Sequence, residues 1–241
     1  MTKVRTHSDI YLGFNPQRSD FRNENLSELV LSYAKGQSLL DIGCGYGYLL
    51  QKAAARGLRV AGVEPDEKLV ALGKHLYPVL RIHHSNAEDF KSTEHFDTIV
   101  CVDILECMPD YLPTLRSLAA QVKSGARLVL VVPAIPYLFG SRDRMMGYYR
   151  RFGRNQLLKE LQQLGLRIEQ TRYWNLILLL PYFFIYKLLQ RESHYEGLRG
   201  HGQPGLLKRL SAGLLQHWFR QVENRLNFGL GLTLLIVAER P

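Results

Sequence analysis

Leu39-Leu40-Asp41-Ile42-Gly43-Cys44-Gly45-Tyr46-Gly47, followed 21 positions after Gly43 by Glu64, is the stretch whose reading decides the fold. A short apolar strand delivers the backbone to a turn in which three alternate glycines remove Cβ atoms, so that φ can be positive and a ligand can approach the main chain. A helix pattern comes next, then a second apolar run over residues 60–64 that ends in the acid. Strand, glycine turn, helix, strand and acid in that order place a carboxylate beside the first turn, where it can accept hydrogen bonds from a ribose diol.

The glycine spacing separates two cofactor classes. Dinucleotide folds use G-x-G-x-x-G, whereas here the glycines alternate and Asp41 stands two residues before the first of them. That arrangement suits S-adenosylmethionine. Its amino-acid end carries an ammonium group that Asp41 and the turn carbonyls can attract, and it has no pyrophosphate that needs a helix N-terminus.

Working outward, residues 79–84 read as a third strand ending in His83-His84, and the polar turn Ser85-Asn86-Ala87-Glu88 comes after it. A fourth strand over 96–102 leads into Asp103-Ile104-Leu105-Glu106-Cys107-Met108-Pro109, and a fifth covers 126–132. With these residues in place the chain resembles the class I S-adenosylmethionine-dependent methyltransferases over residues 39–133, of the kind often compared with ubiquinone-pathway enzymes. The resemblance implies that Asp41, Gly43, Cys44, Gly45 and Gly47 hold the methionine end and that Glu64 and Pro65 hold the ribose. It also implies that Asn86 and Ala87 frame the adenine, with Val102 lining the same pocket. Two positions depart from the family pattern. Asn86 stands where an Asp is common, although its amide oxygen can still accept from the adenine amino group, and Cys107 stands where relatives carry a His after the Leu-Glu pair.

A sixth strand over 166–173 and a seventh over 230–239 complete an α/β fold: a doubly wound, seven-stranded, mostly parallel sheet with a helical insertion before its last strand. The resemblance places that last strand antiparallel beside the sixth. The chain divides into a cap (1–36), a cofactor-binding core (37–173), an apolar and basic insertion (174–229) and the returning strand (230–241). A helix over 20–35, with Asp20 as its cap, is expected to cover the sheet edge. Three cysteines, Cys44, Cys101 and Cys107, show no C-x-x-C spacing, so neither a metal site nor a disulfide framework is indicated. That cysteine pattern fits a reducing cytoplasm, and the first ten residues lack an apolar stretch, which argues against a secretory signal.

The net charge of +9 is unevenly spread, because residues 1–141 contain 15 basic and 15 acidic side chains and all of the excess lies later. Basic clusters at 142–172 and 187–225 flank residues 173–186, fourteen positions without a charge and interrupted by Pro181. A bilayer-spanning helix needs about 20 apolar residues, so this segment suits a helix lying at a membrane interface or closing over an apolar substrate. A buried helix or a homodimer contact through 174–189 is the alternative. Residues 192–205 read as a loop and 206–219 as a helix.

The acceptor side is read from the segments that leave the central strands. Tyr137, Asp143, Tyr148 and Arg150 lie after the fifth strand's C-terminal end, the face on which α/β sheets bind ligands, and so are candidate substrate contacts, with Arg151 as a second arginine able to clamp an anion. A hydroxyl acceptor must lose a proton, for which Asp103, His84, Tyr149 and Asp143 are candidates by location. The stretch from Pro133 to Phe152 resembles one seen in bacterial methyltransferases of glycan, lipid and secondary-metabolite pathways, and the resemblance implies methyl transfer to a small-molecule or lipid- or glycan-linked acceptor, at oxygen first. A non-catalytic cofactor-binding or membrane-associated partner protein is the competing reading. A nicotinamide oxidoreductase is disfavoured by the glycine spacing. Nucleic acid is disfavoured as substrate, despite an isoelectric point near 9.5, because no Asn-Pro-Pro-Tyr-type motif stands after the fourth strand.

Overall fold

The central strands form where both faces of an apolar run are covered. In the computed structural model, which describes residues 21–189 and 206–241, β1 (Ser38–Ile42), β4 (Thr98–Val102) and β5 (Arg127–Pro133) are buried along nearly their whole length. Burial on both faces is the signature of parallel strands sandwiched between helices. With β2 (Arg59–Glu64), β3 (Ile82–His84), β6 (Arg167–Trp174) and β7 (Thr233–Glu239) they make one sheet in the order β3-β2-β1-β4-β5-β7-β6, in which β7 alone runs opposite to the other strands.

Alternation along each strand sorts side chains between two apolar layers. Leu40, Ile42, Leu128, Leu130, Val132, Leu234 and Ile236 join one layer; Leu39, Val129, Val131, Leu235 and Val237 join the other. The second layer includes Leu26, Leu29 and Val30 of α1 (Phe21–Ser32) together with Trp174 and Phe219. The remaining helices are α2 (Tyr48–Ala55), α3 (Glu67–Leu76), α4 (Leu112–Gln121), α5 (Ser141–Met145), α6 (Arg154–Gln163), α7 (Leu179–Tyr182) and α8 (Leu206–Trp218).

Several boundaries differ from the sequence reading. β3 starts only at Ile82, because the chain turns through Pro78 and leaves Val79 exposed. α1 ends at Ser32, its expected cap Asp20 lies outside the described residues, and it does not cover the sheet edge. Its Leu26, Leu29 and Val30 pack on the face of the central strands, and the helix also meets the insertion, where Asn25 Nδ2 donates to Gln216 Oε1 at 3.1 Å and Asn224 Nδ2 donates to the Asn25 carbonyl at 2.9 Å. β7 starts at Thr233 because Gly231 lies against the Trp174 backbone, too close for any Cβ. The predicted loop over 192–205 lies outside the described residues.

The uncharged segment is not one helix. Trp174 ends β6, Asn175 has φ 69°, and helix begins only at Leu179, continuing past Tyr182 as a wider π turn over Phe183–Leu188. Pro181 falls within the first helical turn, where its missing N–H costs no helical hydrogen bond. Asn175 is held by Glu223, whose buried carboxylate accepts from the backbone N–H groups of Asn175, Leu176 (3.0 Å) and Ile177 (3.1 Å), and from Trp218 Nε1 at 2.8 Å.

Candidate active site

The C-terminal ends of β1, β2 and β4 open into a cavity of about 480 Å³. Asp41, Gly43, Cys44, Gly45, Glu64, Pro65, Asn86, Ala87, Val102 and Asp103 all line it, so ten sequence-predicted residues meet at one place. Gly43 and Gly45 have φ of 76° and 56°. A Cβ on Gly43 would overlap the Ile104 side chain, whereas one on Gly45 would meet nothing within 4 Å and would stand in the cavity itself. The Gly45 N–H donates to Glu64 Oε2 and the Asp66 N–H to Glu64 Oε1, both at 2.9 Å, so the glycine turn and the next strand end hold the carboxylate between them.

Two buried acids that form no ion pair among the described residues face this cavity. Asp41 is buried, and burial reinforced by the neighbouring Glu64 raises its pKa from 3.8 to about 7. Burial likewise raises Glu64. No basic side chain among the described residues pairs with either. Buried carboxylates of this kind attract a cationic ligand that also offers hydroxyl donors. Asn86 donates from Nδ2 to Asp89 Oδ2 at 3.0 Å, which leaves its amide oxygen as an acceptor.

Asp103 comes directly after β4 with φ 54°, a conformation uncommon for any residue but glycine, and its Oδ2 accepts from Arg22 at 2.8 Å. A little further along the chain sits Glu106, fully buried, with both carboxylate oxygens unpartnered; burial and then Asp103 push its pKa well up. Arg22, Asn23 and Asp103 line the larger cavity and also a second one of about 160 Å³, so the two adjoin. Tyr148, Asn175, Leu178, Pro181, Tyr182 and Thr233 contribute to the wall of the smaller chamber. Three non-glycine residues have positive φ among the described residues, Asp103, Ile135 and Asn175, and they come after β4, β5 and β6 on this same edge of the sheet.

The other predicted residues fall elsewhere. Gly47 (φ 89°) opens α2, and a Cβ there would press on Leu80 and Ile82 at 3.2 Å; it does not line the cavity. His84 is exposed, with Nε2 2.9 Å from the Pro65 carbonyl. Tyr149 and Tyr137 are 57 % and 71 % exposed, and Lys187 stacks over the Tyr137 ring. Arg150 donates to the carbonyls of Met108 and Pro109 and lies over the Tyr111 ring, outside both cavities. Asp143 is buried and its oxygens are spoken for. Arg151 meets them through Nε and Nη2 at 2.9 Å, while the Gly140 N–H and the Tyr182 hydroxyl donate to Oδ2 at 3.0 and 2.9 Å. This network pins the chain after β5 to α7, so Asp143 shapes the smaller chamber from behind rather than facing into it, and Arg151, which lines it, is already ion-paired. Arg22, Asn23 and Asn175 carried no readable signal, since each is an ordinary polar residue whose neighbours across the cavity lie far off in sequence.

No cluster of three or more metal-ligating side chains occurs among the described residues, and the described cysteines are unbridged. A family described as Methyltransferase domain matches residues 15–174. The ubiquinone biosynthesis O-methyltransferase of Aromatoleum aromaticum is 32% identical over 120 residues, which are 47% of this chain and 49% of the relative. The chain thus spans about half the length of the curated relatives it matches. Among solved structures, an S-adenosylmethionine-dependent methyltransferase from Mesorhizobium loti superposes with a TM-score of 0.62 at 13% identity, covering 92% of this chain and 100% of the other. The phosphoethanolamine N-methyltransferase 2 of Haemonchus contortus, in complex with S-adenosyl-L-methionine, gives 0.62 at 16% identity over 100% of this chain and 58% of that one. These two share the fold, and since the domain match extends over more than half of the sequence, the chain belongs to the methyltransferase-domain family.

Proposed function

We propose that the protein transfers a methyl group from S-adenosylmethionine to an oxygen of a small-molecule acceptor. The observation that carries this reading is the pair of buried acids, Asp41 and Glu64, which form no ion pair among the described residues, beside a Gly45 whose missing Cβ leaves open space at the cavity wall. The residues fit the cofactor: Asp41 answers the ammonium, Glu64 accepts from the ribose hydroxyls with the lone pairs its two backbone bonds leave free, and Asn86 and Ala87 frame the base. When bound, the cofactor supplies a methyl group made electrophilic by its sulfonium. The protein's share is positioning, which can supply several kcal/mol of the barrier by holding reactants in line. Asp103, at the junction of the two cavities, is the carboxylate that takes the acceptor's proton, with Arg22 fixing its orientation. The relative named for ubiquinone biosynthesis supports oxygen as the target atom. Calorimetric titration with S-adenosylmethionine, S-adenosylhomocysteine and NADH tests the reading: binding of the sulfur cofactors alone is expected, and binding of NADH alone overturns it.

A second feature supports contact with a membrane surface. Leu180, Phe184 and Leu188, spaced four apart on the turns from α7 onward, are 68 %, 53 % and 62 % exposed, while Leu178, Pro181 and Tyr182 of the same segment line the smaller chamber. One short segment is thus apolar on its outside and on its chamber side, as suits an acceptor whose apolar tail continues into lipid. No helix among the described residues is long and apolar enough to cross a membrane. Pelleting with anionic vesicles at low salt, reversed by high salt, is expected. No pelleting at low salt returns this face to a contact between copies, which sedimentation would show.

A further inference from the structure

We infer that Asn175 is a specificity-determining residue that hydrogen-bonds a hydroxyl group on a single-ring acceptor held in the smaller chamber. The inference rests on the methyl-transfer reading of the larger cavity for the word acceptor, and otherwise on the chamber itself. Asn175 is 5 % exposed and lines the chamber, and its amide oxygen is enclosed at the chamber wall without a hydrogen-bond partner. An unpaired buried amide is costly, so its retention points to a ligand that completes it. The backbone there has φ 69°, and this conformation is imposed by Glu223, which gathers three successive N–H groups onto one carboxylate. Strained non-glycine conformations held by their surroundings gather at functional sites. The other such residue in the chamber wall is Asp103.

Size and chemistry limit the occupant. A cavity of about 150 Å³ holds one benzene ring, and the chamber measures about 160 Å³. Pro133, Leu178, Pro181 and Tyr182 offer apolar and aromatic contact, while Asn175 and Thr233 offer neutral polar groups; of the charged side chains in the wall, Arg22 is paired with Asp103, Arg151 with Asp143, and Arg142 lies over the Tyr182 ring. A hydroxyl can both donate and accept, so it pairs with the Asn175 amide in either orientation.

The probes are phenol and anisole, the second having its hydroxyl masked, titrated into protein saturated with S-adenosylhomocysteine and tracked through the side-chain amide resonances. Those of Asn175 are identified by their loss in Asn175→Gly, a replacement that tolerates positive φ. Phenol is expected to shift the Asn175 amide signals and to bind at least about fivefold more tightly than anisole, with the preference falling below about twofold in Asn175→Gly. Equal binding of the two probes by the wild type overturns the inference, as does a preference that survives in the folded variant. If the variant does not fold, the signals are identified by triple-resonance assignment and the wild type alone decides: unshifted Asn175 signals at phenol saturation overturn it. Failure to bind S-adenosylhomocysteine counts against the methyl-transfer reading and not against this one, because the probe titration is then repeated without it.

Discussion

The two halves of the site are built in different ways. The cofactor half is made from consecutive strand ends: Asp41 to Gly45, Glu64 and Pro65, then Asn86 and Ala87, each a turn at the end of a parallel strand. The half proposed to take the acceptor is assembled from Arg22 on α1, Asp103 after β4, Tyr148 and Arg151 after β5, Asn175 after β6 and Thr233 on β7, and it is pinned by the buried Asp143–Arg151–Tyr182 network. The first half uses backbone geometry that glycine and strand ends dictate locally. The second uses long-range tertiary contacts, so its shape can vary while the cofactor half stays constant.

That contrast can be broken from either side. The largest effect is expected from Arg151→Met, which leaves Asp143 buried without its ion partner and should cost about 3–5 kcal/mol in denaturant unfolding. An effect below about 1 kcal/mol would mean that the network does not pin the acceptor half. Asp103→Asn should lower turnover by about a hundredfold or more with cofactor affinity within twofold of wild type, given the usual contribution of a general base. Glu64→Ala should weaken S-adenosylmethionine binding by about tenfold or more by calorimetry, since charge-assisted hydrogen bonds are lost.

The acid pair yields a pH signature. The native pKa of Asp41 lies above its unfolded value, so the ligand-free protein loses stability as pH rises from 3.8 to about 7, while a cationic ligand prefers the ionised form. Affinity for S-adenosylmethionine should therefore fall by about tenfold from pH 8 to pH 6, and the fall should vanish in Asp41→Asn. The smallest effect belongs to Glu106. Its raised pKa means that folding holds a proton the unfolded chain releases, so its cost appears above the ordinary glutamate range and grows with pH. Glu106→Gln should raise the melting temperature by about 3 °C at pH 8 and by less at pH 5, about 1 kcal/mol in a chain of this size; a loss at pH 8 would point to a role for the ionised group.

The reach of the sequence was set by the range of the interactions. Apolar runs bounded by turns predicted seven strands, and a glycine at every second position after Asp41 marked a ligand turn, because strand burial and positive φ are properties of a few consecutive residues. The placement of Glu64 was legible for the same reason: one helix crossover returns a parallel strand beside its predecessor. Residues after β5 were legible by type but not by role. Asp143, Tyr149 and Arg150 have chemistry suited to a substrate, and only packing decided that Asp143 would be buried against Arg151, that Arg150 would cap the Met108 and Pro109 carbonyls and that Tyr149 would stay outside. Residues 173–186 read as one apolar segment, yet Glu223, some 48 positions beyond Asn175, breaks it into strand, left-handed turn and helix by collecting its N–H groups. Periodicity carries no record of a partner that distant. The tertiary structure alone set Arg22, Asp103 and Asn175 around shared space, because only the assembled sheet and the helices above it bring those three chain positions to one cavity.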